Sequence, residues 1–230
     1  MMDNFTASFY QNFIEDDRWK YITDGLFNTL RITFFAVLIG IFLGFLIAVV
    51  RSTYDKTHKL GVLNALCKVY LTVIRGTPVL VQLLIIYFVV FGSVKIDKTL
   101  VAVIAFGINS GAYVAEIFRS GIMSVDKGQT EAGRSLGLNS AQTMRLIIIP
   151  QAFKNVLPAL INEMIVLLKE TAIIGYIGTI DITKAATLVQ SRTYDALVPL
   201  LSAAIFYLIL VMILTYFMGK LERRLRKSDH

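Results

Sequence analysis

Long apolar runs separated by charged stretches set the limits on this chain: Leu26–Val50, Val69–Phe91, Leu100–Phe118, Val156–Ile177 and Leu197–Met218. About 20 mostly apolar residues make a helix long enough to cross a bilayer, so each run predicts a span. The chain is 56% hydrophobic and 17% charged, too apolar for an ordinary soluble domain of this length. The expected fold is all-α: a polytopic membrane protein with five transmembrane helices in a single domain, residues 1–230. The opening MMDNF, followed by Glu15, Asp16 and Asp17, is the opposite of a basic secretory leader. The first run is therefore expected to remain as a span. Cys67 is the single cysteine, which excludes a disulfide within the chain.

Loop charge predicts orientation. The formal net charge of +7 need not mean nucleic acid, because basic residues of multispanning proteins gather on cytoplasmic loops. Arg51–Lys68 carries Arg51, Lys56, Lys59 and Lys68 against Asp55. Arg119–Lys154 carries Arg119, Lys127, Arg134, Arg145 and Lys154 against Asp126 and Glu131. The tail carries Lys220, Arg223, Arg224, Arg226 and Lys227. These regions are expected to be cytoplasmic. The acidic N-terminal segment and the balanced stretches Val94–Thr99 and Asp181–Asp195 are expected to face outward. The result is an N-terminus outside and a C-terminus inside.

The stretch 128–153, GQTEAGRSLGLNSAQTMRLIIIPQAF, is a polar helix-forming segment held between apolar runs. Good helix formers follow Gln129, and Glu131 is read in the first turn, where a carboxylate complements the helix dipole. Gly137 can take the left-handed conformation that closes a helix. Asn139 or Ser140 can cap a second short helix through Met144, and Pro150 marks the approach to the fourth span. The reading is a helix–turn–helix element over 128–144 that docks a soluble partner. An amphipathic helix resting on headgroups is the plainer alternative.

Ionisable groups inside a span cost about 2.5–3.5 kcal/mol on insertion scales, so they face protein or a water-filled path. Glu163 lies in an apolar stretch with only Asn162 as a polar neighbour. It is a candidate counter-charge for a cationic substrate; a protonated buried carboxyl, or a partner to a Lys or Arg on another span, are the other readings. In Arg75-Gly76-Thr77-Pro78, Pro78 lacks an N–H and disfavours helix at Thr77, so the second run is expected to bend there and free backbone groups. Arg75 presents a planar fork suited to a carboxylate, or it snorkels to headgroups, or it makes a structural bond to the docking region. Glu116 and Arg119, three apart, read as an ion pair. Tyr113 reads as a packing residue, and Gln82 and Asn109 as interhelical hydrogen bonders.

The series Glu131-Ala132-Gly133, Gly137, Ile147 and Pro150 resembles the EAA loop of permease subunits of bacterial ABC importers, with Gly133 where the family usually has Ala. Gly at that place costs about 1 kcal/mol of helix propensity, so a looser helix is expected. Asn28-Thr29-Leu30, Arg75-Gly76-Thr77-Pro78 with Gln82, Tyr113 through Glu116 to Arg119, and Lys169-Glu170-Thr171 are similar to the subgroup that imports polar amino acids. The resemblance covers nearly the whole chain. It implies a coupling helix, with Glu131, Ala132, Arg134, Ser135 and Gly137, seated in a groove of a cytoplasmic ATPase. It further implies a second permease subunit (the same chain or a related one), an ATPase pair that binds ATP and Mg, and an extracytoplasmic amino-acid-binding protein. A bacterial plasma-membrane location follows.

With an amino acid as substrate, Arg75 and Thr77 are expected to hold the α-carboxylate, and Asn162 and Glu163 the cationic end. The chain has no G-x-x-x-x-G-K-[ST] phosphate loop. His58 and His230 stand far apart without metal-ligand spacing, and no Ser/His/Asp arrangement is present. The chain is therefore expected not to be an enzyme and to hold no cofactor of its own. The expected function is ATP-driven import of polar, basic amino acids by alternating access. A passive channel, or a membrane scaffold that docks an ATPase, is the alternative.

Overall fold

The computed structural model describes residues 2–226; Lys227, His230 and the Lys56 side chain lie outside the described part. Within it, the regular structure is helical throughout. The centre is α5 (Lys98–Met123), started by Asp97, whose carboxylate accepts from the Leu100 N–H at 3.0 Å. Beside it lies α2 (Trp19–Thr57), a 39-residue helix. At 1.5 Å per residue it is about 58 Å long, well beyond the apolar run Leu26–Val50 and the hydrocarbon core.

Two glycine pairs with four-residue spacing join these helices. Gly40 and Gly44 of α2 face Ser110 and Val114 of α5, while Gly107 and Gly111 of α5 face Ile39 and Leu43. A Cβ on Gly44 would stand 2.6 Å from Val114 Cγ1, and one on Gly107 2.7 Å from Ile39 Cβ. The backbones approach closely because these side chains are missing, which is how helices associate where no hydrophobic force acts between them. The register rises together on both helices, so they run parallel.

The chain returns through α3 (Gly61–Gly76) and α4 (Val79–Ile85), the latter extended by a π-helical turn, Ile86–Val90. His58 and Leu60, both left-handed, turn the corner into α3. The stretch read as a charged loop from Arg51 to Lys68 is thus mostly helix. The run Val69–Phe91 is likewise not one straight span. Thr77 (φ −125°, ψ 147°) and Pro78 (φ −64°, ψ 135°) are extended, and the helices on either side meet at 111°. This break is the one expected at Gly76-Thr77-Pro78.

After α5 come α6 (Lys127–Ser135), α7 (Ser140–Thr143), a π-helical turn Met144–Ile148 and α8 (Ile149–Glu170). A 3-10 turn, Thr171–Ile177, leads to α9 (Ile182–Thr193) and α10 (Leu197–Arg226). The fourth run therefore starts earlier and loses its α-helical form sooner than 156–177 implies. Asp181 starts α9, accepting from the N–H groups of Thr183 (2.8 Å) and Lys184 (3.0 Å) and from the Tyr207 hydroxyl of α10 (3.1 Å).

Among the described residues, the stretches Trp19–Asp55, Lys98–Met123 and Leu197–Leu225 are long and apolar enough to cross a membrane, and the bent pair adds a fourth. The charges of α8 (Lys154, Glu163, Lys169 and Glu170) interrupt its apolar character. Phe34, Phe42, Phe45, Leu208, Met212 and Phe217 lie exposed on α2 and α10, as expected of surfaces that meet lipid rather than water.

The N-terminal stretch is not a plain acidic tail. Its first helix, α1 (Met2–Phe9), leads through a π-helical turn, Tyr10–Ile14, to a 3-10 turn, Glu15–Asp17. Phe13 packs with Ile22 and Ala185. The buried Arg18 guanidinium is held by Glu15, Asp16 and the Gln11 carbonyl.

Candidate functional site

Two groups of hydrogen-bonded polar side chains meet α5. The first begins where Pro78 breaks the helix. Gln82 Nε2 donates to the Ile74 carbonyl (2.8 Å) and the Thr77 carbonyl (3.0 Å), acceptors left free by the break, and to Thr77 Oγ1 (2.8 Å). Thr77 Oγ1 donates to the Val73 carbonyl at 2.8 Å. On its other side, Gln82 Oε1 accepts from Asn109 Nδ2 of α5 at 2.9 Å. The next residue, Ser110, donates through Oγ to Glu163 Oε1 of α8 at 2.8 Å. Ser110 and Asn109 are buried, and Glu163 is 9% exposed. Two polar clusters thus start from neighbouring residues of α5: Asn109 joins Gln82 and the exposed Thr77 at the helix break, and Ser110 joins the buried Glu163 of α8. No described cation bonds to the Glu163 carboxylate.

The four residues expected to share a ligand do not all converge. Thr77 belongs to the group at the helix break and Glu163 to the pair with Ser110. Asn162 is exposed, because successive residues of a helix point about 100° apart. Arg75 sits elsewhere: its Nη1 is 4.0 Å from Glu116 Oε2, and its guanidinium lies 5.7 Å from the Tyr113 ring centre. Glu116 Oε1 accepts from Arg119 at 2.8 and 3.0 Å, the ion pair that the spacing predicts. Gln82 and Asn109 make the interhelical bond read for them. Ser110 as the partner of Glu163 was not foreseen; Gly107-Ile108-Asn109-Ser110-Gly111, polar residues inside a glycine pair, was the available signal.

The second element is an elbow. Asp126 Oδ1 accepts from the Gly128 N–H at 2.6 Å and caps α6. The helix therefore starts before Gln129, and Glu131 lies beyond its first turn. Gly137 is left-handed (φ +83°). Its N–H reaches the Arg134 carbonyl (3.0 Å), and the Leu138 N–H reaches the Gly133 carbonyl (3.1 Å), the paired bonds of a Schellman turn. Asn139 and Gln142 then form a reciprocal capping box at 2.9 Å each, and α7 runs through the π-helical turn into α8. Glu131, Ala132, Arg134, Ser135 and Leu136 are exposed, while Gly133 is buried. A Cβ on Gly133 would stand 2.8 Å from Thr143 Cγ2 and 2.9 Å from Ile147 Cδ1. Glycine here gives not the looser helix expected but a tight joint between the two arms.

Comparison with known proteins places this geometry. Residues 26–227 match the family described as "Binding-protein-dependent transport system inner membrane component". The chain is 40% identical over 207 residues to a putative glutamine transport system permease protein of Rickettsia typhi, covering 89% of this chain and 93% of that one. It is 39% identical over 212 residues to the arginine transport system permease protein of Bacillus subtilis, covering 91% and 94%. A solved chain described as "an amino acid ABC transporter with histidines" superimposes with a TM-score of 0.82 at 44% identity, covering 89% and 94%. The MetNI methionine ABC transporter in an inward-facing conformation shares the fold, at TM-score 0.77 and 18% identity, over 92% of this chain and 99% of that one. The chain belongs to the family of inner-membrane components of binding-protein-dependent transport systems, multi-pass proteins of the bacterial plasma membrane.

Proposed function

We propose that this chain is the permease subunit of an ATP-driven importer for polar, basic L-amino acids, working by alternating access. The carrying observation is Glu163: a carboxyl group buried among α-helices, held by one hydroxyl, with no cation bonded to it among the described residues. Such a group is costly in a membrane, and a cationic side chain arriving from outside would offset that cost. Thr77, Gln82 and Asn109 supply polar contacts for the rest of the molecule. The names of the relatives span glutamine and arginine, and the solved one histidine. The preference for cations thus rests on Glu163 and not on kinship.

The exposed face of the elbow, with Glu131, Ala132, Arg134, Ser135 and Gly137, is the docking element for a cytoplasmic ATPase pair, which binds ATP and Mg. Rigid coupling through α7 into α8 would carry its motion to Glu163 on the same helix. The assembly contains a second permease subunit and an extracytoplasmic binding protein. Five spans, with α8 as the fourth and the N-terminus outside, agree with the loop charges.

Proteoliposomes holding the complete transporter test the reading. ATP-dependent uptake of arginine is compared with that of glutamine in wild type and Glu163→Gln. Loss of the arginine preference in the variant is the expected result. An unchanged preference removes Glu163 from the role, and downhill flux without ATP removes the importer.

A further inference from the structure

Away from Glu163 lies a cavity edged by basic side chains. It has a volume of about 400 Å³ and lies between the end of α2 and α3, lined by Arg51, Lys68, Leu71, Thr72 and Arg75. Three cationic side chains and a hydroxyl converge on it. The acids within reach are already engaged. Glu116 Oε1 is taken by Arg119, and its Oε2 meets Arg75 only at 4.0 Å. Glu116 also feels Arg51, and Asp55 acts on Arg119. Four cations (Arg51, Lys68, Arg75 and Arg119) therefore face two carboxylates, leaving an excess of positive charge. Arg51 Nε is buried without any hydrogen-bond acceptor. A buried guanidinium N–H left unpaired is a donor waiting for an acceptor.

We infer that this cavity binds a phosphate-bearing anion. A guanidinium fork matches the oxygens of phosphate, and lysine adds a point charge. Leu71 gives an apolar wall. Basic pockets between membrane helices on the cytoplasmic side hold phosphate headgroups in general, and the loop charges put this end of α2 on that side. The phosphate comes from an anionic lipid headgroup or from free phosphate. Arg75 then serves anion binding and not the α-carboxylate of the transported amino acid.

Native mass spectrometry of the whole transporter, with the permease chain released in the gas phase, reads the anion directly. The complex is stripped of lipid in detergent, then given phosphatidylglycerol, phosphatidylcholine or inorganic phosphate. The expected result is a phosphatidylglycerol adduct on the permease chain that exceeds the phosphatidylcholine adduct. Removing charge should weaken it about fivefold per residue, in Lys68→Gln and more in the pair Arg51→Gln, Lys68→Gln. The pair Arg51→Lys, Lys68→Arg should retain it, as should Arg223→Gln on α10. A phosphate adduct lost in the same variants, without lipid preference, assigns the cavity to free phosphate. No adduct in either arm, or an adduct indifferent to Lys68→Gln and to the double variant, overturns the inference. Lys68 is exposed, so its single variant stays informative if the double variant does not assemble. Neither arm depends on which amino acid is carried.

Discussion

Ser110 Oγ donates to Glu163 Oε1 across 2.8 Å, and the same oxygen lies 2.7 Å from the point that a Cβ on Gly40 would occupy. A close approach of α2 to α5 and the buried carboxylate thus share one atom. A methyl group at position 40 must push that hydroxyl aside. Leaving a buried acceptor without its donor costs about 1–3 kcal/mol, more when it is charged. Gly40→Ala and Ser110→Ala are each expected to lower ATP-dependent arginine uptake about tenfold, the equivalent of 1.4 kcal/mol. Because both disturb one bond, the double variant should lose less than the two single losses combined, while Ser110 Cβ, 2.9 Å from a Cβ at position 40, remains in it. Uptake rates from the four-member cycle check this; fully additive losses would separate the helix contact from the site.

Gly44 makes a harder contact. A Cβ added there would stand 2.6 Å from Val114 Cγ1 and 2.8 Å from the Ala115 backbone nitrogen, and backbone cannot rotate away. Overpacking of this kind costs about 1–3 kcal/mol. Gly44→Val should lower the thermal unfolding midpoint of the detergent-solubilised transporter. Gly219→Ala on α10, where nothing lies within 4 Å, should leave that midpoint unchanged or raise it through helix propensity.

The elbow joint can be tested by relief of crowding. Gly133→Ala places a Cβ 2.8 Å from Thr143 Cγ2 and should spread α6 from α7, reducing recovery of the ATPase with the permease. Thr143→Ser removes that methyl while keeping the hydroxyl that donates to the Asn139 carbonyl at 3.0 Å. The pair Gly133→Ala, Thr143→Ser should therefore recover most of the ATPase lost by Gly133→Ala. Co-purification stoichiometry reads both. Failure of the second substitution to rescue the first would place the crowding on Ile147 Cδ1, 2.9 Å from the same Cβ, and not on Thr143.

What the sequence reveals here follows from how local each cause is. Pro78 breaks its own helix, Gly137 sets its own φ, and Asn139 caps the turn beside it, so these features were legible. The Glu116–Arg119 pair is one helical turn and was legible for the same reason. The partners of Glu163 and Arg75 depend on how α2, α3, α5 and α8 are registered against one another, which no local pattern fixes. Arg75 lies on α3 before the break and meets Glu116 of α5, while Thr77 at the break meets Gln82. Gly133 was misjudged because propensity describes one helix, while its reason is a neighbour ten residues on. The glycine pairs 40/44 and 107/111 carried the α2–α5 contact in plain view, but a spacing shows which residues share a face and not which helix meets it.

The corner where the N-terminal helices meet the start of α10 is clasped by Asp195. Asp195 accepts hydrogen bonds from Ser8 Oγ and from Asn12 Nδ2 (2.7 Å), and from the N–H groups of Leu197 (3.1 Å) and Val198 (3.4 Å) at the start of α10. Asn12 in turn accepts from Thr193 Oγ1 at 2.8 Å. The Ser8 hydroxyl above all, then Asn12 and the two backbone donors, hold the Asp195 carboxyl below its ordinary value of 3.8. A lowered native pKa means the carboxylate favours the docked state above the unfolded value and loses that contribution as pH falls through the native one. Amide exchange over residues 8–14, corrected for intrinsic rates, should therefore show protection near neutral pH that declines below about pH 4. Asp195→Asn should show weak protection with no such decline. Asp17, also lowered, chiefly by its bond to Lys20, belongs to an exposed pair (Nζ to Oδ2, 2.6 Å) that salt screens. Repeating the titration at high salt separates the two: a decline that vanishes with salt would belong to Asp17 and Lys20, and one that persists to Asp195.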